Sequence, residues 1–127
     1  MNLKKINRAL ISVSDKSELT KILKVLKKFK VEILSSGGTY KKINRLGYKS
    51  IEISDFTNSP EILDGRVKTL HPKLYGGILF KRNNKKHQKQ IKKINIKKID
   101  LVIVNFYPFE EAVKKGNDKK IIENIDI

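Results

Sequence analysis

Short apolar runs that alternate with segments of helical periodicity restrict the fold of this 127-residue chain more than any other feature. The run over 8–13 predicts a buried strand, and hydrophobic residues then recur at helical spacing from Leu19 to Phe29. The run over 31–34 predicts a second strand, which a glycine turn connects to a helix that Gly47 stops. Because such alternation implies right-handed crossovers, we expect an α/β protein with three α/β/α layers around a mainly parallel sheet.

The same patterns predict the remaining elements, and Asp15 with Glu18 is spaced as a capping box for the first helix. These elements are, in order, a strand over 48–53, a short helix from Pro60 to Leu63 with Ser59 as its N-cap, a surface helix over 84–94, a strand over 99–106, and helices over 109–115 and 119–125. The apolar run over 74–80 fits either a strand or a packed helix. The run over 101–104 is continuous, which predicts a central strand covered on both faces.

The lack of cysteine in the sequence excludes disulfides, thiolate metal sites and a cysteine nucleophile. The length suits one domain with a hydrophobic core of its own. The sequence has neither a charged-then-apolar N-terminal signal nor a long apolar run. We therefore expect a cytoplasmic protein with one domain over 1–127 and no membrane partner.

The net charge of +16, from 29 Lys and Arg against 13 Asp and Glu, would ordinarily favour a nucleic-acid partner. However, lysine dominates the cations and occurs together with Ile and Asn, as in the run over 92–98, and all three residues have codons rich in adenine and thymine. Aromatic residues that could stack on bases are not interleaved with these lysines. We expect no nucleic-acid partner.

Polar residues follow several predicted strands, where a parallel sheet binds its ligands. The sequence Ser-Gly-Gly-Thr over 36–39 places hydroxyls and glycines at a helix N-terminus, where backbone N–H groups can approach a phosphate closely. The alternative is a simple tight turn, and the spacing is not that of a nucleoside-triphosphate P-loop. The residues predicted to form a phosphate site are Ser14, Lys16, Ser36, Gly37, Gly38 and Thr39.

The stretch over 64–72 concentrates polar side chains between an Asp-Gly turn signal and a proline that keeps the preceding residue out of the helical region. Arg66 offers a fork of donors, Lys68 a movable charge and Thr69 a hydroxyl, all suited to an anionic or carbonyl-rich small molecule. The alternative is a solvated basic turn. We interpret His71 as an orienting or buried residue and His87 as a surface residue, and find no metal-ligand spacing.

Motifs along nearly the whole chain resemble those of one enzyme family. They are SVSDK at 12–16, SSGGT at 35–39, SPEILDGRVKTLHPKLYGGIL at 59–79, NFYPFE at 105–110 and ENIDI at 123–127. In this order they are similar to the IMP cyclohydrolase domain of bifunctional purine-biosynthesis enzymes, which is fused to an AICAR transformylase. The resemblance implies a methylglyoxal-synthase-like fold, in agreement with the predicted alternation.

The resemblance implies dehydrative ring closure of the formamido ribonucleotide FAICAR to inosine monophosphate (IMP). It assigns the phosphate to the site predicted above, with Asp15 beside it, and the base to Arg66, Val67, Lys68, Thr69, Val104 and Asn105. Lys68 and Tyr107 would donate to the formyl oxygen, and Asp126 would orient the carboxamide and take up its proton. Tyr107 could instead be a packing aromatic, and Asp126 a solvated carboxylate. The resemblance further implies a homodimer and no cofactor for this step.

The family continues beyond the ENIDI motif with a helix that bears a further catalytic lysine, and then with the transformylase domain that uses 10-formyltetrahydrofolate. We therefore expect the cyclohydrolase domain to be incomplete at its C-terminus and the transformylase domain to be absent from this chain. Two alternatives remain open, a phosphate- or nucleotide-sensing domain of the same fold and methylglyoxal synthase. Lys68, Tyr107 and Asp126 would discriminate, because a sensor needs no donors at a reaction centre.

Overall fold

The computed structural model describes residues 3–106, 108–114 and 116. Within these residues, four parallel strands form one sheet in the order β3-β2-β1-β4, and Leu10 in β1 lies opposite Leu34 in β2 and Val102 in β4. The strands are β1 (Arg8–Ser12), β2 (Glu32–Ser35), β3 (Ile51–Glu52) and β4 (Leu101–Val104). The helices are α1 (Leu19–Lys28), α2 (Gly37–Arg45), α3 (Ile53–Thr57), α4 (Pro72–Leu79), α5 (Lys85–Lys93) and α6 (Phe109–Lys114).

Two hydrophobic clusters cover the two faces of the sheet. On one face, Ile11 and Ile33 pack with the buried sides of α1 and α2, which include Leu23 and Ile43. On the other face, the alternate residues of the same strands pack with α3 and α4; this cluster consists of Leu10, Leu34, Ile53, Leu74 and Ile99. Helices therefore lie on both faces of the sheet, which confirms the predicted three-layer α/β/α fold.

Helices α1, α2 and α5 end in the same backbone motif. After α2, the N–H groups of Gly47 and Tyr48 donate to the carbonyls of Asn44 and Ile43, which is the Schellman arrangement with a left-handed residue at the C′ position. Gly47 has φ +79°, so the prediction that it stops the helix is confirmed. Lys30 after α1 and Asn95 after α5 have the same role, with φ +55° and +52°.

The region between β3 and α4 differs from the prediction. The third strand spans Ile51–Glu52 alone, because α3 begins at Ile53; this helix ends at Thr57, and its C-cap Asn58 has φ +56°. The short helix predicted from Pro60 to Leu63 is wrong. Leu63 and the residue after it have positive φ, which no right-handed helix allows, and Ile62 instead forms an antiparallel bridge with Val67.

The apolar run over 74–80 belongs to helix α4, which settles a choice that the sequence left open. Its two glycines determine how closely the helix packs. A Cβ on Gly77 would lie 2.5 Å from the backbone oxygen of Lys97, and a Cβ on Gly76 would lie 2.6 Å from Cδ1 of Ile96. The glycines therefore let the helix approach the chain before β4 at backbone contact distance.

Two further predictions are wrong. Strand β4 lies at one edge of the sheet in the described part of the chain, and Val102 and Val104 are 40% and 60% exposed, so it is not a central strand covered on both faces. A continuous apolar run thus indicated a strand without fixing its place in the sheet. The capping box also does not form, since Glu18 occupies the N-cap position without a side-chain bond and Asp15 binds the nearby N–H of Ser17.

Candidate functional site

A cavity of about 260 Å³ lies at the carboxyl ends of β1, β2 and β4. Four chain segments that are distant in sequence contribute to it. Its lining residues are Ser12, Val13, Ser14, Lys16, Ser36, Gly38, Thr39, Lys68 and Asn105. The structure therefore brings together most of the polar residues that the sequence predicted to share one rim of the sheet.

The N-terminus of α2 forms one wall of this cavity. Ser36 is the N-cap residue in an extended conformation, and its hydroxyl makes no capping hydrogen bond. The first bond of the helix is donated by the N–H of Tyr40 to the Ser36 carbonyl, so the N–H groups of residues 37–39 have no partner within the helix. These groups, together with the positive end of the helix dipole, suit an anion.

Two lysine ammonium groups border the same helix end. A Cβ placed on Gly38 would lie 3.8 Å from Nζ of Lys16, and a Cβ placed on Gly37 would lie 3.9 Å from Nζ of Lys68. Any larger side chain at either glycine would fill the space between the helix end and an ammonium group. Two positive charges and the helix dipole therefore converge where a phosphate could approach the backbone.

Lys68 reaches the cavity because of the turn that precedes it. Asp64 and Gly65 have φ +55° and +78°, and the N–H of Arg66 donates to the carbonyl of Leu63, as in a type I′ turn. This confirms the predicted Asp-Gly turn. The chain is thereby reversed within the Ile62–Val67 bridge, and the Lys68 ammonium lies within 3.8 Å of the Cβ position of Gly65 as well as beside Gly37.

The loop between β1 and α1 is held from both sides by polar side chains, one from the buried Thr39 and one from the exposed Asn105. The Thr39 hydroxyl accepts from the N–H of Val13 at 3.2 Å and donates to the Val13 carbonyl at 3.1 Å. The Asn105 amide accepts from the N–H groups of Ser14 and Asp15 at 2.6 and 3.2 Å and donates to the Asp15 carbonyl at 2.8 Å. Within this loop, the Lys16 ammonium donates to the Ser14 carbonyl at 3.0 Å.

Asp15 does not line the cavity, and its carboxylate instead makes a hydrogen bond within the loop that precedes α1. Its carboxylate accepts from the N–H of Ser17 at 2.9 Å. Hydrogen bonds from the backbone and the side chain of Ser17 lower the pKa of the Asp15 carboxyl below its ordinary value of 3.8, and the neighbouring charge of Lys16 adds to this effect. Asp15 therefore shapes the loop without lining the cavity.

The other predicted site residues are distributed more widely. Arg66, Val67, Thr69 and Val104 do not line the cavity; Val67 forms the bridge with Ile62, and the Thr69 carbonyl accepts from the N–H of His71. Tyr107 and Asp126 lie outside the described residues. Ser12 and Val13 line the cavity and were missed by the sequence analysis, although their place at the end of the first strand was a signal for them.

Both histidines accept hydrogen bonds from the backbone. Nδ1 of His71 accepts from the N–H of Lys73 at 3.1 Å, so this half-buried side chain caps the start of α4, and an orienting role stays a prediction. Nδ1 of His87 accepts from the N–H of Lys81 at 3.0 Å, and His87 is half-buried beside an apolar groove of about 670 Å³ between α4 and α5. His87 thus lies at the surface, as predicted, although one side of the ring borders this groove.

The described residues contain no group of three or more His, Asp and Glu side chains arranged to hold a metal ion. Across the same residues, no helix combines the length and the apolar character that crossing a membrane requires.

The chain is similar to a known domain family, to named relatives and to a solved structure. The family profile described as "MGS-like domain" matches residues 18–127. Proteins named "Bifunctional purine biosynthesis protein PurH" from Ruminiclostridium cellulolyticum and Acetivibrio thermocellus are each 52% identical over 124 residues, which is 96% of this chain and 24% of theirs. The chain thus spans about a quarter of the length of these relatives. A solved structure titled "Crystal structure of ForH" superposes with a TM-score of 0.73 at 32% identity, over 80% of this chain and 51% of that one.

Proposed function

Because the chain belongs to the family of MGS-like domains, we propose that it is an IMP cyclohydrolase domain, which closes the ring of FAICAR to give IMP. The observation that carries the proposal is the cavity where the Lys16 and Lys68 ammonium groups meet the N-terminus of α2. The relatives named as bifunctional purine-biosynthesis proteins support this choice among the chemistries that such a cavity could serve.

The phosphate end of the substrate fits the wall formed by α2. Backbone N–H groups of residues 37–39, the Ser36 hydroxyl and the Lys16 ammonium would surround a dianionic phosphate, and Ser14 would close the site from the loop after β1. The absence of side chains on the glycines permits the close approach that these contacts need.

The reaction end would lie toward Lys68. The carboxamide nitrogen attacks the formyl carbon, a C–N bond forms, and the former formyl oxygen leaves as water after receiving protons. A cation that donates to that oxygen stabilises the negative charge that it gains in the transition state. By resemblance, Tyr107 assists this donation and Asp126 takes up the carboxamide proton. Arg66, Val67, Thr69 and Val104 stay predictions as contacts to the base. The ring closure is a dehydration and requires no redox or group-carrying cofactor.

The activity of a longer protein is a separate part of the proposal. The bifunctional relatives are about four times as long as the matched segment. By analogy, formyl transfer from 10-formyltetrahydrofolate would belong to a further domain. We also propose that the protein is cytoplasmic, forms a homodimer and has no nucleic-acid partner. Size-exclusion chromatography with light scattering would test the homodimer.

Lys68→Ala provides the sharpest test of the proposed reaction. We expect turnover of FAICAR to fall by about two orders of magnitude, since one preorganised donor contributes about 3 kcal/mol. The Kd for IMP should rise by less than about tenfold, because Lys16 and the N–H groups of residues 37–39 still hold the phosphate after the Lys68 ammonium beside Gly37 is removed. Lys41→Ala removes an exposed lysine from α2 and is the matched control for lost charge.

Two other outcomes would contradict the proposal. Formation of methylglyoxal from dihydroxyacetone phosphate, without IMP formation from FAICAR, would identify methylglyoxal synthase. Binding of IMP without turnover of either substrate would support a sensing domain. Equal losses of turnover and binding in Lys68→Ala would show that this lysine only anchors the ligand.

A further inference from the structure

The loop over 13–16 presents two of the predicted phosphate ligands, Ser14 and Lys16, and its conformation depends on side chains from two other elements. Thr39 holds the loop from α2, and Asn105 holds it from the end of β4. We propose that the side chains of Thr39 and Asn105 are positioning residues, which fix this loop for phosphate binding and do not themselves contact the ligand. The identity of the ligand rests on the proposed function.

Hydrogen-bond geometry carries the argument for Thr39. A threonine hydroxyl has one donor hydrogen, and in Thr39 that hydrogen is used by the Val13 carbonyl at 3.1 Å. The same oxygen accepts from the N–H of Val13, and Thr39 is 4% exposed. A phosphate accepts hydrogen bonds, so this hydroxyl has no hydrogen left to offer it. Its backbone N–H, at the N-terminus of α2, still can donate.

The same reasoning applies to Asn105, whose amide makes three bonds to the loop. Its oxygen accepts from two successive N–H groups, and its nitrogen donates to the Asp15 carbonyl. This pattern fixes the peptide planes around Ser14 and turns the Ser14 carbonyl so that it accepts from the Lys16 ammonium. The ammonium is thereby held 3.8 Å from the Cβ position of Gly38, beside the N-terminus of α2.

The two side chains act on adjacent peptide groups from opposite sides of the loop. Thr39 binds both polar groups of Val13, and Asn105 binds the next two N–H groups along the chain. If only one of the two side chains held the loop, the peptide groups at the other end could still rotate. Fixing both ends reduces the conformational entropy that ligand binding would otherwise have to remove. The effect on affinity should therefore pass through Ser14 and Lys16.

A double-mutant cycle with Lys16 tests this route. We expect Thr39→Val and Asn105→Ala each to weaken binding of IMP about tenfold, the effect of roughly 1.4 kcal/mol. In a Lys16→Ala background, the same changes should weaken binding of IMP by less than about threefold, because the ammonium that they position is gone and only Ser14 remains. The affinity for inosine, which lacks the phosphate, should fall by less than about twofold in either variant. Thr39→Ser keeps the hydroxyl and should restore most of the affinity.

Controls separate positioning from general loss of stability. Thr57→Val removes another buried threonine hydroxyl, which donates to the Ile53 carbonyl, and Asn44→Ala removes another asparagine that donates to the backbone. Both should bind IMP as the wild type does. Amide hydrogen exchange at Ser14 and Asp15 should accelerate in Asn105→Ala even without ligand, which provides a readout that needs no affinity measurement.

The outcomes distinguish this inference from the proposed function. Additive losses in the Lys16→Ala background, or equal losses for IMP and inosine, would overturn the positioning role and indicate direct contact with the ligand. Unchanged exchange at Ser14 and Asp15 would also overturn it. If FAICAR is not converted but the cycle behaves as expected, the proposed function fails alone. If FAICAR is converted while the losses are additive, this inference fails alone.

Discussion

At the scale of single residues, Asp15 shows how a solvent-exposed carboxylate can still fix a loop. Two hydrogen bonds from Ser17 favour its charged form and hold the chain between β1 and α1 in a turn. Since the pKa is lowered in the folded state, the turn is favoured above the ordinary pKa of 3.8 and is lost as the pH falls through the lower, folded value.

We therefore expect the Asp15 carboxyl to titrate below 3.8 in a carbon-detected NMR titration of the folded protein. Ser17→Ala should move the titration upward without bringing it fully to 3.8, because the hydroxyl bond is removed while the backbone N–H bond remains. The same titration in denaturant gives the reference. An Asp15 pKa at or above that reference would show that the turn does not stabilise the carboxylate.

Residue-level predictions from sequence succeeded where the signal was local. The Asp64-Gly65 turn and the C′ glycine after α2 follow from residue types that tolerate positive φ. Sequence could not show that the Thr39 hydroxyl and the Asn105 amide are used by the loop after β1, because those partners are 26 and about 90 positions away along the chain. The predicted meeting of polar residues at one rim of the sheet was found, but which side chains hold the loop and which face the cavity required coordinates.

At the scale of elements, the shared ending of α1, α2 and α5 offers a stability test. Lys30 occupies a C′ position that favours glycine, at φ +55°. Lys30→Gly should raise the free energy of unfolding by about 1 kcal/mol, because the left-handed conformation costs a residue with a Cβ about that much. Gly47→Ala should lower it by a similar amount at the equivalent position of α2. Urea denaturation of both variants measures the two changes.

The two changes should be opposite in sign, and Asn95→Gly after α5 should have a smaller effect, since asparagine tolerates the left-handed conformation better than other residues with a Cβ. A Lys30→Gly variant that is less stable than the wild type would show that entropy of the unfolded chain outweighs the relieved strain.

The glycines of α4 make a second test at this scale. Gly77→Ala places a methyl group 2.5 Å from a backbone oxygen, and overpacking of this kind costs about 1–3 kcal/mol. Gly76→Ala meets the terminal Cδ1 of Ile96, which can rotate away, so its cost should be smaller and partly offset by the helix propensity of alanine. Thermal denaturation compares the two, and equal losses would contradict the close backbone approach.

At the scale of the whole molecule, topology explains what the sequence could and could not predict. The alternation of strands and helices was enough for the three layers and for one shared edge, because crossovers between parallel strands have a fixed hand. The position of β4 at the edge of the sheet, within the described residues, was not predictable, because a continuous apolar run indicates a strand but not which strands pair with it. The order of strands depends on pairing between segments far apart in the sequence, such as β1 with β4.

The net charge of +16 acts on the whole molecule and must be separated from the local charge at the cavity. Self-repulsion destabilises a compact state with so much charge of one sign, and salt screens it. We expect the melting temperature to rise with sodium chloride, and to rise further in sodium phosphate at matched ionic strength. Phosphate at ten times its Kd should add about 1.4 kcal/mol if it binds the folded state alone.

If phosphate raises the melting temperature by binding in the cavity, this additional rise should depend on Lys16. Lys16→Ala should remove most of the difference in melting temperature between phosphate and chloride, because it removes the ammonium beside Gly38. The rise in melting temperature with chloride should remain, because only one charge of a large excess is lost. Lys41→Ala removes the same charge from an exposed position on α2 and should retain both responses. A phosphate effect that persists in Lys16→Ala would mean that phosphate acts on the overall positive charge, and the convergence of charge at the N-terminus of α2 would then not form a phosphate site.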